Sequence, residues 1–320
     1  MTTPLVYPAR VGSYREVVLR DSPVFFYEFS DTEFTSGTIR DLSGNGNDAS
    51  NPVQSSTPLQ AIGQIRNQRC ALFPFVGSNQ ARIQTSIGLT YPELSVEVAV
   101  ASAQYGYGGA NDRLMADGHT DQGGTNRAGF EFYMPNAGGA PQPSATNPNQ
   151  GQLAFVIGNG HALWAASTAY TVGQTVQNSG NVYTCTTAGT SATSGGPTGT
   201  GTGISDGTVV WNWLTQDNLT CNSGNINLMP GNPYHLMATV SVIGGVTYMA
   251  LYINGQQVGS ASVANFGNVT SPYNMGVGYN PAYNGDFFNG WIGAAAAYNY
   301  GLTASQVLEH SNAFFAGIQR

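Results

Sequence analysis

The side chains able to do chemistry in this sequence are few, and most lack the partners that chemistry needs. Glu28, Asp31 and Glu33 form the densest acidic group, in "YEFSDTEF". Their spacing does not put all three on one face of a strand, and hydrolysis of a glycosidic bond needs two carboxyls about 5 to 10 Å apart on a shared face. Glu131 stands alone in "FEFYM". His119, His161, His235 and His310 are far apart in sequence, and no Gly-x-Ser-x-Gly elbow accompanies them. His119, in "MADGHTDQGG", has acids on both sides. No lysine occurs in the chain, which excludes the usual phosphate-loop chemistry. What remains is an aromatic group between 164 and 213, namely Trp164, Tyr170, Tyr183, Trp211 and Trp213, set among amides and hydroxyls. An aromatic plane beside amides suits the apolar C–H face and the hydroxyls of a pyranose ring.

The elements that must position these groups are strands. Period-two alternation marks "VFFYEFS" (24–30), "LSVEVAVAS" (94–102), "FEFYM" (130–134), "QLAFVIG" (152–158), "HLMATVSV" (235–242) and "VTYMALYING" (246–255). Asn254-Gly255 and Gly244-Gly245 between apolar runs are hairpin signals. The expected class is therefore all-β, an antiparallel sandwich. Two helices are expected beside it. One is "SYREVVLRDSP" (13–23), with Ser13 and Glu16 as a capping box; the other is "LTASQVLEHSNAFFAG" (302–317), with Thr303 and Gln306 as its box. Val307, Leu308, Phe314 and Phe315 give the second helix an apolar stripe, and Gly317 is its expected stop.

Two stretches break the strand rhythm. One combines "YGYGGANDRLMADGHTDQGGTNRAG" with "NAGGAPQPSATNPNQG", read as long hairpin tips. The other, 163–216, has its own aromatics and a Gly/Thr/Ser tract, and reads as a β unit inserted into a frame made of 1–162 and 217–320.

Composition narrows the partners. With 320 residues and 41% hydrophobic content the chain can bury a core, while only 8% of its residues are charged. A net charge of -7 disfavours nucleic acid. Lysine usually blunts edge strands, so a lysine-free β protein needs other cover, and packing against further copies of itself is one solution. The N-terminus has neither the charged start nor the apolar run of a secretory signal, and no apolar run reaches the length of a membrane span. Synthesis in a cytoplasm without a signal peptide is expected. Cys70, Cys185 and Cys221 read as buried thiols, with a Cys185–Cys221 pair left open.

An ordered series of stretches resembles the concanavalin A-like, laminin-G-type jelly roll of secreted and phage structural proteins. It runs from "VLRDSPVFFYEFS" and "IRDLSGNGNDAS" through "LSVEVAV" and "PYHLMATVSVIGGVTYMALYINGQQVGS" to "FFNGWIGAAAAYNYGLTASQVLEHSNA". In "DLSGNGND", glycines free to take positive φ and short polar side chains account for a tight turn. The resemblance also implies a calcium alternative there, with Asp41 and Asp48 as ligands.

Residues 163–216 resemble the small carbohydrate-binding modules of bacterial chitinases that recur in phage tail proteins, on the series Trp164, Tyr170, Gly173, Val176, Tyr183 and Trp211. That resemblance makes Tyr183, Trp211 and Trp213 the sugar-stacking candidates and Trp164 and Tyr170 core members, although the same pattern also builds so small a module's core. Together the resemblances imply a non-enzymatic virion surface protein of a tailed bacteriophage: a capsid decoration protein, head fibre or tail fibre subunit. It would assemble with itself and other virion proteins and attach to cell-surface glycans, with no cofactor beyond that calcium. A lectin-like module and a glycoside hydrolase are the other two classes the fold allows.

Overall fold

The computed structural model describes residues 12–29, 38–50, 59–62, 69–73, 75–76, 79–80, 82–102, 111–118, 128–135, 151–269, 273–282 and 285–318. Two antiparallel sheets of eight strands each make the frame. In the first, Leu94–Ser102 is central, flanked by Tyr234–Ile243 and Gly290–Tyr298, with Val246–Ile253 and Gln256–Ala264 continuing one side and Arg69–Phe73 and Leu59–Ile62 the other; Phe25–Glu28 also pairs with Gly290–Tyr298. The second runs from Asn218–Asn227 through Gln152–Asn159, Ala128–Met134, Asp112–Ala116, Gly276–Val277, Ile83–Gln84 and Ala49–Ser50 to Thr38–Ile39.

Alternation decides which side chains meet between the sheets. Val96, Val98 and Val100 from the first sheet face Phe130, Phe132, Phe155 and Ile157 from the second, all fully or almost fully buried in one apolar cluster. The hairpin signals act as expected: Asn254 and Gly255 take φ of 53° and 78°, and Gly244 and Gly245 of 60° and 80°. Positive φ at both central residues matches the twist of the strands they join.

A second apolar cluster lies on the other side of the first sheet, under the two helices. Tyr14, Val17 and Val18 from Tyr14–Arg20 and Val307, Ala313 and Phe314 from Ala304–Ile318 pack on Ala99, Ala101, Met237, Ala294 and Ala296. Alanines make that floor flat, so the helices can sit close to the strands. Both capping boxes form. Ser13 Oγ accepts from Glu16 N while Ser13 N donates to Glu16 Oε2 at 2.7 Å, and Thr303 N donates to Gln306 Oε1 at 3.0 Å. Two details of the second helix differ from expectation. It runs through Gly317 to Ile318, and Leu308 lies on its outer side, 40% exposed, because His310 and Ser311 take the buried positions beside Val307.

Polar residues centre this helix layer. Glu97 is fully buried on the middle strand and accepts from Tyr14 Oη (2.6 Å), Tyr298 Oη (2.8 Å), His235 Nε2 (2.7 Å) and His310 Nδ1 (3.0 Å). The opposite ring nitrogen of His310 meets Asp21 Oδ2 at 2.9 Å. Burial pushes the Glu97 carboxyl up, but the charge and hydrogen bonds of His310 and His235 outweigh it and hold Glu97 well below the usual carboxylate range.

The stretch read as a hairpin tip at 105–129 contains a strand, Asp112–Ala116, in the second sheet. Its glycine-rich flanks masked the signal. His119, Asp31, Glu33 and 136–150 lie outside the described residues. Among the described residues no helix is long and apolar enough to cross a membrane.

Candidate glycan-contacting surface

Gln152–Asn159 and Asn218–Asn227 pair directly, Gly158 opposite Asn218, so the chain between them leaves and re-enters the second sheet at one point. That intervening chain builds a sheet of its own in the order Thr175–Asn178, Asn181–Thr187, Val209–Gln216, Ile204–Asp206, plus a two-stranded pair of Ala169–Tyr170 with Gly189–Thr190. It also has its own apolar cluster of Tyr170, Val176, Tyr183, Cys185, Val209 and Trp211, with Trp164, Ile204 and Trp213 packed against it.

The aromatics divide by burial. Tyr183 and Trp211 are completely buried. Tyr170 meets Trp211 edge-on with centroids 5.0 Å apart. A ring that offers no face to solvent cannot stack on a sugar, so Tyr183 and Trp211 fill the interior in this conformation. So small a unit has no other means of making a core. Trp213, opposite Tyr183 in the strand register, is only partly covered, and so is Trp164. Trp213 Nε1 donates to Asn181 Oδ1 at 2.9 Å, which fixes the plane of the indole beside an amide.

Asp206 organises this core. Buried itself, it accepts from both Trp164 Nε1 (2.7 Å) and Trp211 Nε1 (3.1 Å) on Oδ2, and from Ala192 N (2.9 Å) on Oδ1. It is the only charged residue between 163 and 216. The surface of this sheet is therefore built from amides, hydroxyls, backbone and apolar groups alone.

The Gly/Thr/Ser tract is strapped across the aromatics rather than trailing from them. Asn178 Nδ2 donates to the carbonyls of Gly195 and Pro197, both at 2.9 Å, Tyr183 Oη to Gly199 O at 3.0 Å, and Trp213 N to Gly201 O at 2.9 Å. Gly196 lies against the Trp164 ring with φ of 71°, and a Cβ there would come within 2.9 Å of the indole. Only glycine fits.

Asp41 and Asp48 lie in a tightly bonded turn. Asp41 Oδ1 accepts from Phe26 N (3.0 Å) and Ser43 N (2.9 Å), and Oδ2 from Asn47 N (3.0 Å) and Ser43 Oγ (2.7 Å), while Asp48 Oδ1 accepts from Asp41 N at 2.8 Å. Gly44 and Gly46 take φ of 86° and 76° between them. These donors let Asp41 hold the loop closed, at the turn where the resemblance implies calcium. Among the described residues no group of three or more His, Cys, Asp or Glu is arranged to hold a metal. Asp41→Ala is expected to cost about 2 to 3 kcal/mol, the scale for hydrogen bonds to a buried charge. Added calcium should leave the wild-type melting temperature unchanged; a calorimetric scan with and without EDTA checks both.

Sequence reasoning missed a polar group on the outer face of the second sheet. Phe130, Phe132 and Met134 point into the core, which turns Glu131 and Tyr133 outward. Arg113, buried at a bulge opposite Tyr133, places Nη2 3.1 Å from Glu131 and 3.0 Å from Asp286, and lies 4.2 Å over the Tyr133 ring. Asn280 Nδ2 donates to the same Glu131 oxygen. Glu28, the described member of the acidic group near the N-terminus, pairs with Arg15. No disulfide joins the cysteines: Cys185 lies in the small core and Cys221 in the main one, and burial pushes the Cys221 thiol up to about 11.

A family model described as the concanavalin A-like lectin/glucanases superfamily matches residues 164–308, a little under half of the chain. No curated protein matches. Among solved structures, domain 4 of AbnA, a GH43 extracellular arabinanase from Geobacillus stearothermophilus in complex with arabinotriose, is similar at 15% identity and a TM-score of 0.45, over 91% of this chain and 98% of that one. The binding domain of botulinum neurotoxin DC in complex with SialylT is similar at 10% identity and 0.45, over 92% of this chain and 52% of that one. The binding domain of Paraclostridial Mosquitocidal Protein 1 gives 14% and 0.46, over 93% and 53%. The chain thus spans about half the length of the two toxin binding domains. Its two antiparallel sheets and C-terminal helix make a concanavalin A-like jelly roll.

Proposed function

We propose that this protein is a non-enzymatic surface component of a tailed-bacteriophage virion that assembles with itself and with other virion proteins and attaches to glycans through residues 163–216. That segment is an inserted carbohydrate-binding unit, and Trp213 supplies the stacking plane. The observation carrying the reading is the charge-free, amide-rich surface around partly exposed indoles, whose one charged side chain is buried. Such a surface suits a neutral sugar, since it has no cation to pair with a carboxylate or sulfate. The order of sequence motifs that resembles phage jelly rolls supports the virion role.

A non-enzymatic role is supported by the placement of the carboxyls. Glu131 and Asp286 share one guanidinium, and Glu28 is paired with Arg15. A glycosidase needs one carboxyl free to give a proton and another free to attack or to activate water.

On an array of neutral oligosaccharides, Trp213→Ala is expected to lower retention about five- to tenfold, from lost stacking of roughly 1 kcal/mol. Stability should fall by no more than about 1 kcal/mol, the scale for a partly exposed site. Retention by the wild type should be the same at low and high salt, because no charge pair contributes. Preference for sialylated glycans, with binding lost on adding salt, would sink the neutral-sugar reading. Mass spectrometry of purified particles tests the virion role; if particles lack the protein and the purified chain is a monomer that binds one oligosaccharide, it is a lectin-like module.

A further inference from the structure

His310 is held in a geometry that only its protonated form satisfies. Nδ1 meets Glu97 Oε2 at 3.0 Å and Nε2 meets Asp21 Oδ2 at 2.9 Å, and both acceptors are carboxylates. A neutral imidazole has one bare nitrogen, which would face an anionic oxygen lone pair to lone pair. The cation therefore joins three elements: the helix that carries it, the end of the N-terminal helix at Asp21, and the central strand at Glu97.

The two helices are also tied to each other. Arg20 Nη1 and Nη2 reach Glu309 at 2.6 and 2.9 Å, and Tyr14 meets Phe314 edge-on at 5.5 Å. Their apolar contacts with the sheet form a cluster separate from the one between the two sheets. The helix layer is thus one body bonded within itself, resting on the sandwich without contributing to its interior.

We propose that the two helices form a single latch on the outer face of the first sheet, held shut by the His310 imidazolium and released together, with the sandwich intact, when that ring loses its proton. Burial alone would lower the pKa of His310, but Glu97 and Asp21 raise it to about 9. A raised folded-state value contributes stability that is complete below the ordinary value of about 6.5 and is lost as pH rises through about 9. The opening equilibrium of the latch accordingly rises about tenfold per pH unit across that window and levels off above it.

Glu97, Asp21, Glu309, Tyr14, Tyr298 and Arg20, which face this centre, hold their charge state there. Glu97 stays ionised, and Asp21 and Glu309 are lowered, Asp21 by Arg20 and His310 against the cost of burial, Glu309 chiefly by its bond to Arg20. Tyr14 and Tyr298 stay neutral because burial and the adjacent Glu97 charge raise them well above the ordinary tyrosine value, and Arg20 is raised further by Glu309 and Asp21. His235 approaches Glu97 from the sheet, and Glu28 lies beyond Tyr14, paired with Arg15. Both are retained in the variant below.

Hydrogen exchange read by mass spectrometry, corrected for the intrinsic pH dependence of exchange, tests the proposal on the full chain. Between pH 6.5 and 9, peptides covering Tyr14–Arg20 and Ala304–Ile318 should lose protection in parallel, about tenfold per pH unit, while the strand Leu94–Ser102 keeps its protection. In His310→Gln the helices should be poorly protected at every pH, with no slope. Flat helix protection in the wild type, or loss of strand and helix protection together, overturns the latch. Should the variant not fold, an NMR titration of the wild-type His310 ring decides: a midpoint near 9 supports the latch and one near 6.5 overturns it.

Discussion

Trp211→Ala is expected to cost about 3 to 5 kcal/mol, the range for removing a large aromatic from a packed core. The ring is completely buried against Tyr170, Val176, Tyr183 and Val209, and its N–H is one of three donors to the buried Asp206 carboxylate. The substitution opens a cavity and withdraws a hydrogen bond from a charge that has no solvent to replace it. Because the small sheet has its own apolar cluster, the loss should fall first on 163–216. Hydrogen exchange should show Asn181–Thr187 and Val209–Gln216 losing protection while Leu94–Ser102 keeps it. A change below about 1 kcal/mol would mean that the ring is not core, since that is the scale for surface positions. The neighbouring Trp213→Ala, on the same strand, should be nearly silent in this assay.

Glu97→Gln should cost a similar amount, about 3 to 5 kcal/mol, the penalty for leaving one side of a buried ion pair uncompensated. The amide keeps the shape of the carboxyl but removes the charge that His310 faces, and its NH2 end can only donate where Glu97 accepted four bonds. The wild type should lose this contribution in acid. A carboxyl held well below its usual range contributes stability that is present above pH of about 4.5 and disappears as pH falls toward its folded-state value. Urea denaturation at pH 6 and at pH 3 measures both effects. The variant should show a smaller difference between the two conditions than the wild type does.

The frame was legible in the sequence because its rules are local. Alternation marked six of the strands, Asn254-Gly255 and Gly244-Gly245 marked two hairpins, and Ser13/Glu16 and Thr303/Gln306 marked both helix starts. The short strand Asp112–Ala116 was hidden because its apolar residues sit among glycines and charges, one of which, Arg113, pairs with Glu131 and Asp286, groups distant in sequence. The helix stop at Gly317 failed for the opposite reason, since one residue's backbone preference gave way to a continuing turn. At the small sheet, spacing identified the aromatics but could not divide them. Tyr183 and Trp213 are register partners, yet Tyr183 is buried and Trp213 only partly covered, a difference that residue spacing does not carry. The Glu97 centre was invisible for the same kind of reason. Its members at 14, 97, 235, 298 and 310 meet only after the first sheet has closed.

The strand order of that sheet also sets when the molecule can fold. Leu94–Ser102 finds one neighbour at Tyr234–Ile243 and the other at Gly290–Tyr298, and Phe25–Glu28 waits for 294–297. As the ribosome releases the chain from its N-terminus, the middle strand emerges long before either partner exists. Pairings this distant make folding slow and leave apolar strand edges open meanwhile. The small sheet at 163–216 has only near neighbours to pair with and can form during that interval, before Tyr234–Ile243 and Gly290–Tyr298 have emerged.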